Sequence, residues 1–198
     1  KYLTNQYKKI HHFSLVLDQL EKNYVTFIKL LPRTEKPVGL LYSEKTLWRI
    51  SSFIKAARQA DLPLKAFKVD TTQQTAIGEA IKNILPQVSM ILMLPDKALY
   101  NRATINEIFL TGYLSKVPFI GYSKALAKTG ALASVITPVD SIISDITATV
   151  SNLINGQQHE SLIYPSAYKV ILNQQISESM GLDIEQDFPD TIPMEVIR

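Results

Sequence analysis

"MILMLPDKALYNRATI", residues 90–105, runs five apolar side chains straight into Pro95 and Asp96, then into a stretch with helical spacing. A run this short has the length of a strand, and its lack of alternation implies cover on both faces, as in a sheet with helices on each side. Asp96 then stands where a buried strand ends. Working outward, the same alternation of short β-rich runs and longer segments of period 3.6 extends from Pro37 to Thr137, the pattern of βαβ units. The expected strands are Val38 to Tyr42, Leu64 to Val69, Val88 to Leu94, Val117 to Tyr122 and Ala131 to Ile136.

The helices between them follow from their stripes. Lys45 to Ala60 aligns Leu47, Ile50, Ile54 and Ala57, with Phe53 beside them. Thr72 to Leu85 aligns Ala76, Ile77, Ala80, Ile81 and Ile84, and Pro86 stops it. Ala98 to Leu114 is expected to bury Leu99, Ala103, Phe109 and Tyr113 or their neighbours. After "TPVD", Thr137 is placed to cap a helix with Pro138 in its first turn. Ile142, Ile143, Ile146, Val150 and Leu153 form its stripe up to Asn155-Gly156. Ala167 to Leu172 reads as another strand, Asn173 as the cap of a short helix closed by Gly181, and the tail from Asp183 as extended chain over the surface. Ahead of Pro37, Phe13 to Asp18 reads as a strand and Glu21 to Leu31 as a helix; Pro32 and Pro37 bound a polar hinge.

A chain of 198 residues, 46% hydrophobic, is long enough to bury a core in one domain or in two small lobes sharing a hinge. Ten prolines and seven glycines without runs exclude collagen-like and low-complexity classes, and no stretch reaches the roughly 18 apolar residues of a membrane span. The net charge of +3 is scattered, so the footprint of a nucleic-acid binder is missing; Lys8-Lys9 with His11-His12 is the one basic cluster. The lack of cysteine removes disulfides, thiolate metal sites and thiol nucleophiles, and leaves compartment unread. The chain opens on Lys1 rather than methionine, which leaves room for upstream residues, an export signal among them.

In open α/β sheets ligands bind beyond the carboxyl ends of the strands. The residues there are Ser43 with Glu44, Asp70 with Thr71 and Thr72, Asp96, and Ser123, with Tyr42 and Tyr122 just before two of them. Each has a structural alternative: Ser, Thr and Asp are ordinary helix caps, and tyrosine packs in parallel strands. Asp96 is the one best placed to bind an ammonium or hydroxyl group. Catalytic patterns are weak. His11, His12 and His159 lie away from the strand ends, no metal-ligand spacing occurs, and neither GxGxxG nor GxxxxGK[ST] is present. A phosphoacceptor site around Asp96 would need Asp18 and Lys124 as partners, at poor spacing.

The stretch from Leu94 to Ile143, followed by Asn152 to Ile184, resembles the substrate-binding-protein-like family of ABC transporters, which has the type I periplasmic-binding fold. The resemblance rests on Leu94-Pro95-Asp96, Val117 to Ser123, Gly130 to Ser134, Leu153 to Gly156 and Leu172 to Leu182; residues 17–44 resemble the family's passage into its second lobe. It implies a three-layer, doubly wound, Rossmann-like α/β lobe that closes on a small molecule and presents it to a permease, outside the cytoplasm, without catalysis or cofactor. Relatives include binders of aromatic amino acids. Family cleft loops fall on Ser43 to Thr46, Asp96 and Ser123, which makes Tyr42, Ser43, Thr46, Asp96, Tyr122 and Ser123 the candidate ligand residues. Family members carry a complete first lobe ahead of this region, whereas Lys1 to Leu31 precede the second lobe here. The expectation is therefore a first lobe largely absent: residues 1–36 its remnant and crossover, 37–136 the second lobe, and 137–198 helices and a strand returning to the lobe interface. A homodimer through the exposed surface, or a sensing or interaction domain of the same fold, is the alternative.

Overall fold

The apolar run before Asp96 becomes an interior strand of a seven-stranded sheet. The computed structural model describes residues 14–156, 162–182, 184, 188–189 and 191–198. In chain order the elements are β1 (Ser14–Leu15), α1 (Glu21–Lys29), β2 (Val38–Tyr42), α2 (Ile50–Gln59), β3 (Leu64–Lys68), α3 (Gln74–Ile84), β4 (Met90–Leu92) and α4 (Ile105–Leu114). These are followed by β5 (Phe119–Gly121), α5 (Lys124–Thr129), β6 (Ala133–Ile136), α6 (Val139–Ile154), β7 (Leu162–Ile163), β8 (Lys169–Asn173), α7 (Gln174–Met180) and β9 (Met194–Ile197). The large sheet has the order β3-β2-β4-β5-β6-β8-β9. Every pair is parallel except β6–β8, which is antiparallel.

Burial on both faces follows from the period of two along each strand. Leu40, Leu92, Leu94 and Ile120 point into a cluster with Tyr24, Phe27 and Ile28 of α1 and with Phe53 and Ala57 of α2. Leu41, Ile91, Met93 and Phe119 point the other way, against Ile77 and Ile81 of α3 and Ile108 and Phe109 of α4. The result is the expected three-layer α/β arrangement. At one point the fit demands glycine: a Cβ on Gly112 of α4 would collide with the ring of Phe119 and crowd the carbonyl of Val117, so α4 reaches the sheet only without one. Gly181, at φ +70°, ends α7 in the left-handed conformation after Asn173 has capped it.

Several expectations are corrected. The third helix begins at Ile105, not Ala98, because side chains occupy the backbone groups in between: Thr104 Oγ1 donates to the carbonyl of Leu99 at 2.6 Å and Asn101 Oδ1 accepts from the N–H of Ala103 at 2.9 Å. Ala103 and Tyr113 are exposed, and Thr104, Ile108 and Gly112 take the buried face. Leu47 belongs to a separate 3₁₀ turn, Leu47–Arg49, and is exposed. Thr137 caps no helix; its hydroxyl donates to the carbonyl of Leu17 at 2.9 Å. Residues 194–197, expected as loose tail, pair with β8 as an edge strand.

The largest departure is α6. Of its expected stripe, Ile143, Ile146 and Val150 are exposed and Ile142 and Leu153 half-buried, and with Val139 and Ile154, at 80%, they leave an apolar face uncovered among the described residues. Beside the main sheet, β1 and β7 form a separate two-stranded parallel pair, in which Ser14 and Leu15 of the expected strand 13–18 pair with Leu162 and Ile163. Gln19, itself buried, ties the passages to this unit together. Its Nε2 donates to Thr137 Oγ1 at 2.7 Å and to the carbonyl of Ala167 at 3.0 Å, joining the segments that follow β1, precede α6 and precede β8.

Candidate functional site

Strand order decides where the loops open. From β2 the chain moves outward to β3 and then returns to β4 on the other side of β2, so the direction of winding reverses between β2 and β4. At such a switch point the loops after the two strands diverge and leave a crevice at the carboxyl edge. Here those loops are 43–46 and 95–98, and the crevice is a cleft of about 670 Å³. One wall is built from Thr46, Trp48, Pro95, Asp96 and Lys97; the other carries Leu17, Asp18, Glu21 and Tyr164, from the segments beside β1 and β7.

Asp96 is a clamp between the two loops. It is 2% exposed, and its Oδ2 accepts from Ser43 Oγ at 2.6 Å, Thr46 Oγ1 at 2.8 Å and the N–H of Ser43 at 3.3 Å. Oδ1 accepts from the N–H of Ala98 at 3.0 Å, and the N–H of Leu99 also bonds the carboxylate. Burial by itself would raise its pKa, but the bonds from Ser43, Thr46 and the two N–H groups outweigh it and hold the carboxyl below its usual range. A carboxylate offers about four lone-pair directions, so five donors saturate it. The sequence reading offered Asp96 either as a helix cap or as the partner of a ligand's ammonium; in the structure its carboxylate is bonded by its own two loops.

The other candidates divide. Thr46 and Asp96 line the cleft, whereas Ser43 is buried behind them. Tyr42 and Tyr122 are half-buried against the core and do not line the cleft; burial first, then the carboxylates of Asp96 and Asp18, raise the pKa of the Tyr122 phenol. Ser123 caps α5, its hydroxyl accepting from the N–H of Leu126 at 3.3 Å. Asp70 closes a turn by accepting from the N–H of Thr72 at 2.9 Å. The phosphoacceptor constellation does not assemble: Asp18 pairs with Arg49, and Lys124 pairs with Glu195 of β9. His11, His12, His159 and Lys8-Lys9 lie outside the described residues.

Sequence reasoning missed Arg49 and Trp48. The buried guanidinium of Arg49 bonds Asp18, Glu21 at 3.1 Å and the carbonyl of Gln19 at 3.4 Å, and its carbon lies 5.2 Å from the ring centroid of Phe53 and 5.8 Å from that of Trp48. Burial opposes its charge, yet Asp18 and Glu21 raise its pKa further. Trp48 is 74% exposed and faces the cleft, with Arg49 beneath it. The only available sequence signal was an adjacent aromatic and cation in the turn that follows a strand end.

The model of a family described as ABC transporter substrate binding protein matches residues 16–190. The chain belongs to this family. Among solved structures, an ABC domain from Streptococcus pneumonia in complex with L-Trp superposes with a TM-score of 0.66 at 20% identity, over 93% of this chain and 62% of that one. An open, ligand-free substrate-binding protein with adhesive properties from Clostridium difficile gives 0.71 at 12%, over 94% and 63%. A conserved domain protein from Vibrio cholerae gives 0.67 at 15%, over 92% and 62%. These likenesses show the type I periplasmic-binding fold. The chain spans less than two thirds of the length of each. No curated protein matches in sequence. Among the described residues, no helix is long and apolar enough to cross a membrane.

Proposed function

We propose that the chain is the substrate-binding component of an ABC-type importer, reversibly binding a small organic solute outside the cytoplasm and presenting it to a permease without catalysis. The observation that carries this is the cleft at the switch point, where an exposed Trp48 and apolar Leu17 and Pro95 are set among charged groups held rigidly by Arg49 and Asp96. An apolar pocket with a few fixed polar groups suits a small molecule. The non-catalytic reading has its own support. The hydroxyl nearest a base, Ser43 Oγ, donates to a carboxylate whose pKa is lowered, and such a group is a poor proton acceptor. Amino acids, the class that the family resemblance suggests, are screened together with other small metabolites. Thermal denaturation of the purified chain against such a library, followed by calorimetry, tests the reading: a saturable shift with one solute class supports it, and no shift with any member overturns it.

The uncovered face of α6 favours a second reading, an interaction domain whose partner is a second copy of the chain. Asp140 and Asp145 lie in the N-terminal half of the helix, the C-terminal half has no charge, and the helix has no Lys or Arg. Two copies crossing antiparallel near Ile146 therefore set acidic ends against neutral ones and bury the stripe in a two-fold contact. Sedimentation at rising concentration reads the result: a dimer abolished by Ile146→Asp supports this reading, and a monomer at every concentration removes it.

A further inference from the structure

The cleft lining is balanced overall, with Asp18, Glu21 and Asp96 against Lys45, Arg49 and Lys97. What distinguishes these groups is unused hydrogen-bonding capacity. Asp96 is saturated by five internal donors. Asp18 accepts from the N–H of Gln19, the hydroxyl of Tyr24 and Arg49, and Glu21 shares that same guanidinium. Arg49 in turn is 8% exposed and bonds both acids and the carbonyl of Gln19. Lys45 and Lys97 are different: both are exposed, both line the cleft, and neither ammonium has a partner among the described residues. The Asp96 clamp holds their loops together, since Lys45 lies between Ser43 and Thr46, which both bond Asp96, and Lys97 directly follows it. Trp48 stands beside this pair with Arg49 on one side of its ring and most of its surface open.

We propose, resting on the solute-binding reading above, that this wall recognises small organic acids with a flat apolar body: Lys45 and Lys97 take the carboxylate, Trp48 and Pro95 take the body, and the α-ammonium of an amino acid meets only carboxylates already bonded to internal donors. A charged group moved from water into a largely apolar cleft loses hydration that only a matching partner restores. Two free ammoniums restore it for a carboxylate. For an ammonium the opposite wall offers one carboxylate oxygen without a donor among the described residues, Glu21 Oε2, on a side chain already drawn onto Arg49.

Three indoles of equal body and different charge test this by calorimetry: indole-3-acetate, L-tryptophan and tryptamine. The expected order is indole-3-acetate tightest, L-tryptophan at least about tenfold weaker and tryptamine without measurable binding. Lys45→Ala with Lys97→Ala is expected to weaken indole-3-acetate by at least about tenfold, while the melting temperature of the unliganded chain stays unchanged because both ammoniums lie in solvent. L-tryptophan binding as tightly as indole-3-acetate, and losing that affinity in Glu21→Gln, overturns the inference and leaves the receptor reading standing. Undiminished indole-3-acetate binding in the double variant also overturns it. If neither the indoles nor the wider library bind, the receptor reading itself has failed.

Discussion

Replacing Asp96 separates its two meanings, because a ligand group and a clamp respond to the change in opposite ways. Asp96→Ala deprives the hydroxyls of Ser43 and Thr46 and the N–H groups of Ser43, Ala98 and Leu99 of their acceptor, at a residue only 2% exposed. Part of the loss is recovered locally. Thr46 Oγ1 already lies 3.5 Å from the carbonyl of Ser43 and can turn to it, and the N–H of Ser43 lies 3.2 Å from Thr46 Oγ1. With a buried unsatisfied donor costing about 1–3 kcal/mol, and three left without recourse, the net loss is at least about 3 kcal/mol. For a chain of this size that lowers the melting temperature by roughly 6–12 °C. Asp96→Asn keeps one oxygen for the two hydroxyls but turns an NH₂ toward the N–H of Ala98, so it loses about half as much.

Differential scanning calorimetry of the parent and both variants, at neutral pH and without solute, measures the order directly. Stability falling as parent, Asn, Ala is the expected outcome. Solute affinity falls with it, since the loops carrying Lys45 and Lys97 are no longer tied. An Ala variant that melts within about 2 °C of the parent while losing a solute entirely would show that the carboxylate faces the ligand, and the clamp would be refuted.

Further perturbations reach the rest of the site. Arg49→Met leaves Asp18 and Glu21 without their shared cation; a loss of about 3 kcal/mol in urea unfolding is expected, larger than for either Asp18→Asn or Glu21→Gln alone. On acidification, groups with depressed pKa values lose their contribution as they protonate. Glu195, lowered from 4.5 to about 2 by Lys124 and Lys169, and Asp96, lowered in the same direction, stabilise the fold above the usual carboxylate range, and that share disappears as pH falls from about 4.5 toward 2. Equilibrium unfolding across that window is expected to show the decline, and Glu195→Gln to flatten it. Gly112→Ala overpacks the ring of Phe119 and is expected to cost about 1–3 kcal/mol in the same assay. Ile143→Ser, on the open face of α6, is expected to leave the dilute chain within about 0.5 kcal/mol of the parent.

The sheet was legible because parallel strands covered on both faces need continuous apolar runs, and Val38–Tyr42 and Met90–Leu92 have nothing else to be. Their trailing loops were legible for the same reason, so Ser43, Thr46 and Asp96 were found before their bonds were known. Direction was not: a sequence shows that Asp96 ends a strand, not whether its oxygens face a ligand or the N–H groups of its own loop. Arg49 was hidden because its partners lie 31 and 28 positions away and no local period records them. β9 was hidden because an edge strand needs only half its side chains buried, and Glu195 in its middle is held by two lysines rather than by a core.

The stripe of α6 marks the limit of periodicity as evidence. Apolar residues spaced for one face state that the helix has a side to cover, and they are silent about what covers it. The Gln19 bonds tie the segment that enters α6 to the segments after β1 and before β8, and the segment after β1 also supplies Leu17 and Asp18 to the cleft. If a partner settling on α6 displaces that crossing, the bonds from Arg49 to Asp18 and Glu21 are strained with it, and solute affinity is expected to change with occupancy of the face. A variant that changes one and leaves the other untouched would show the two sides of the crossing to be independent.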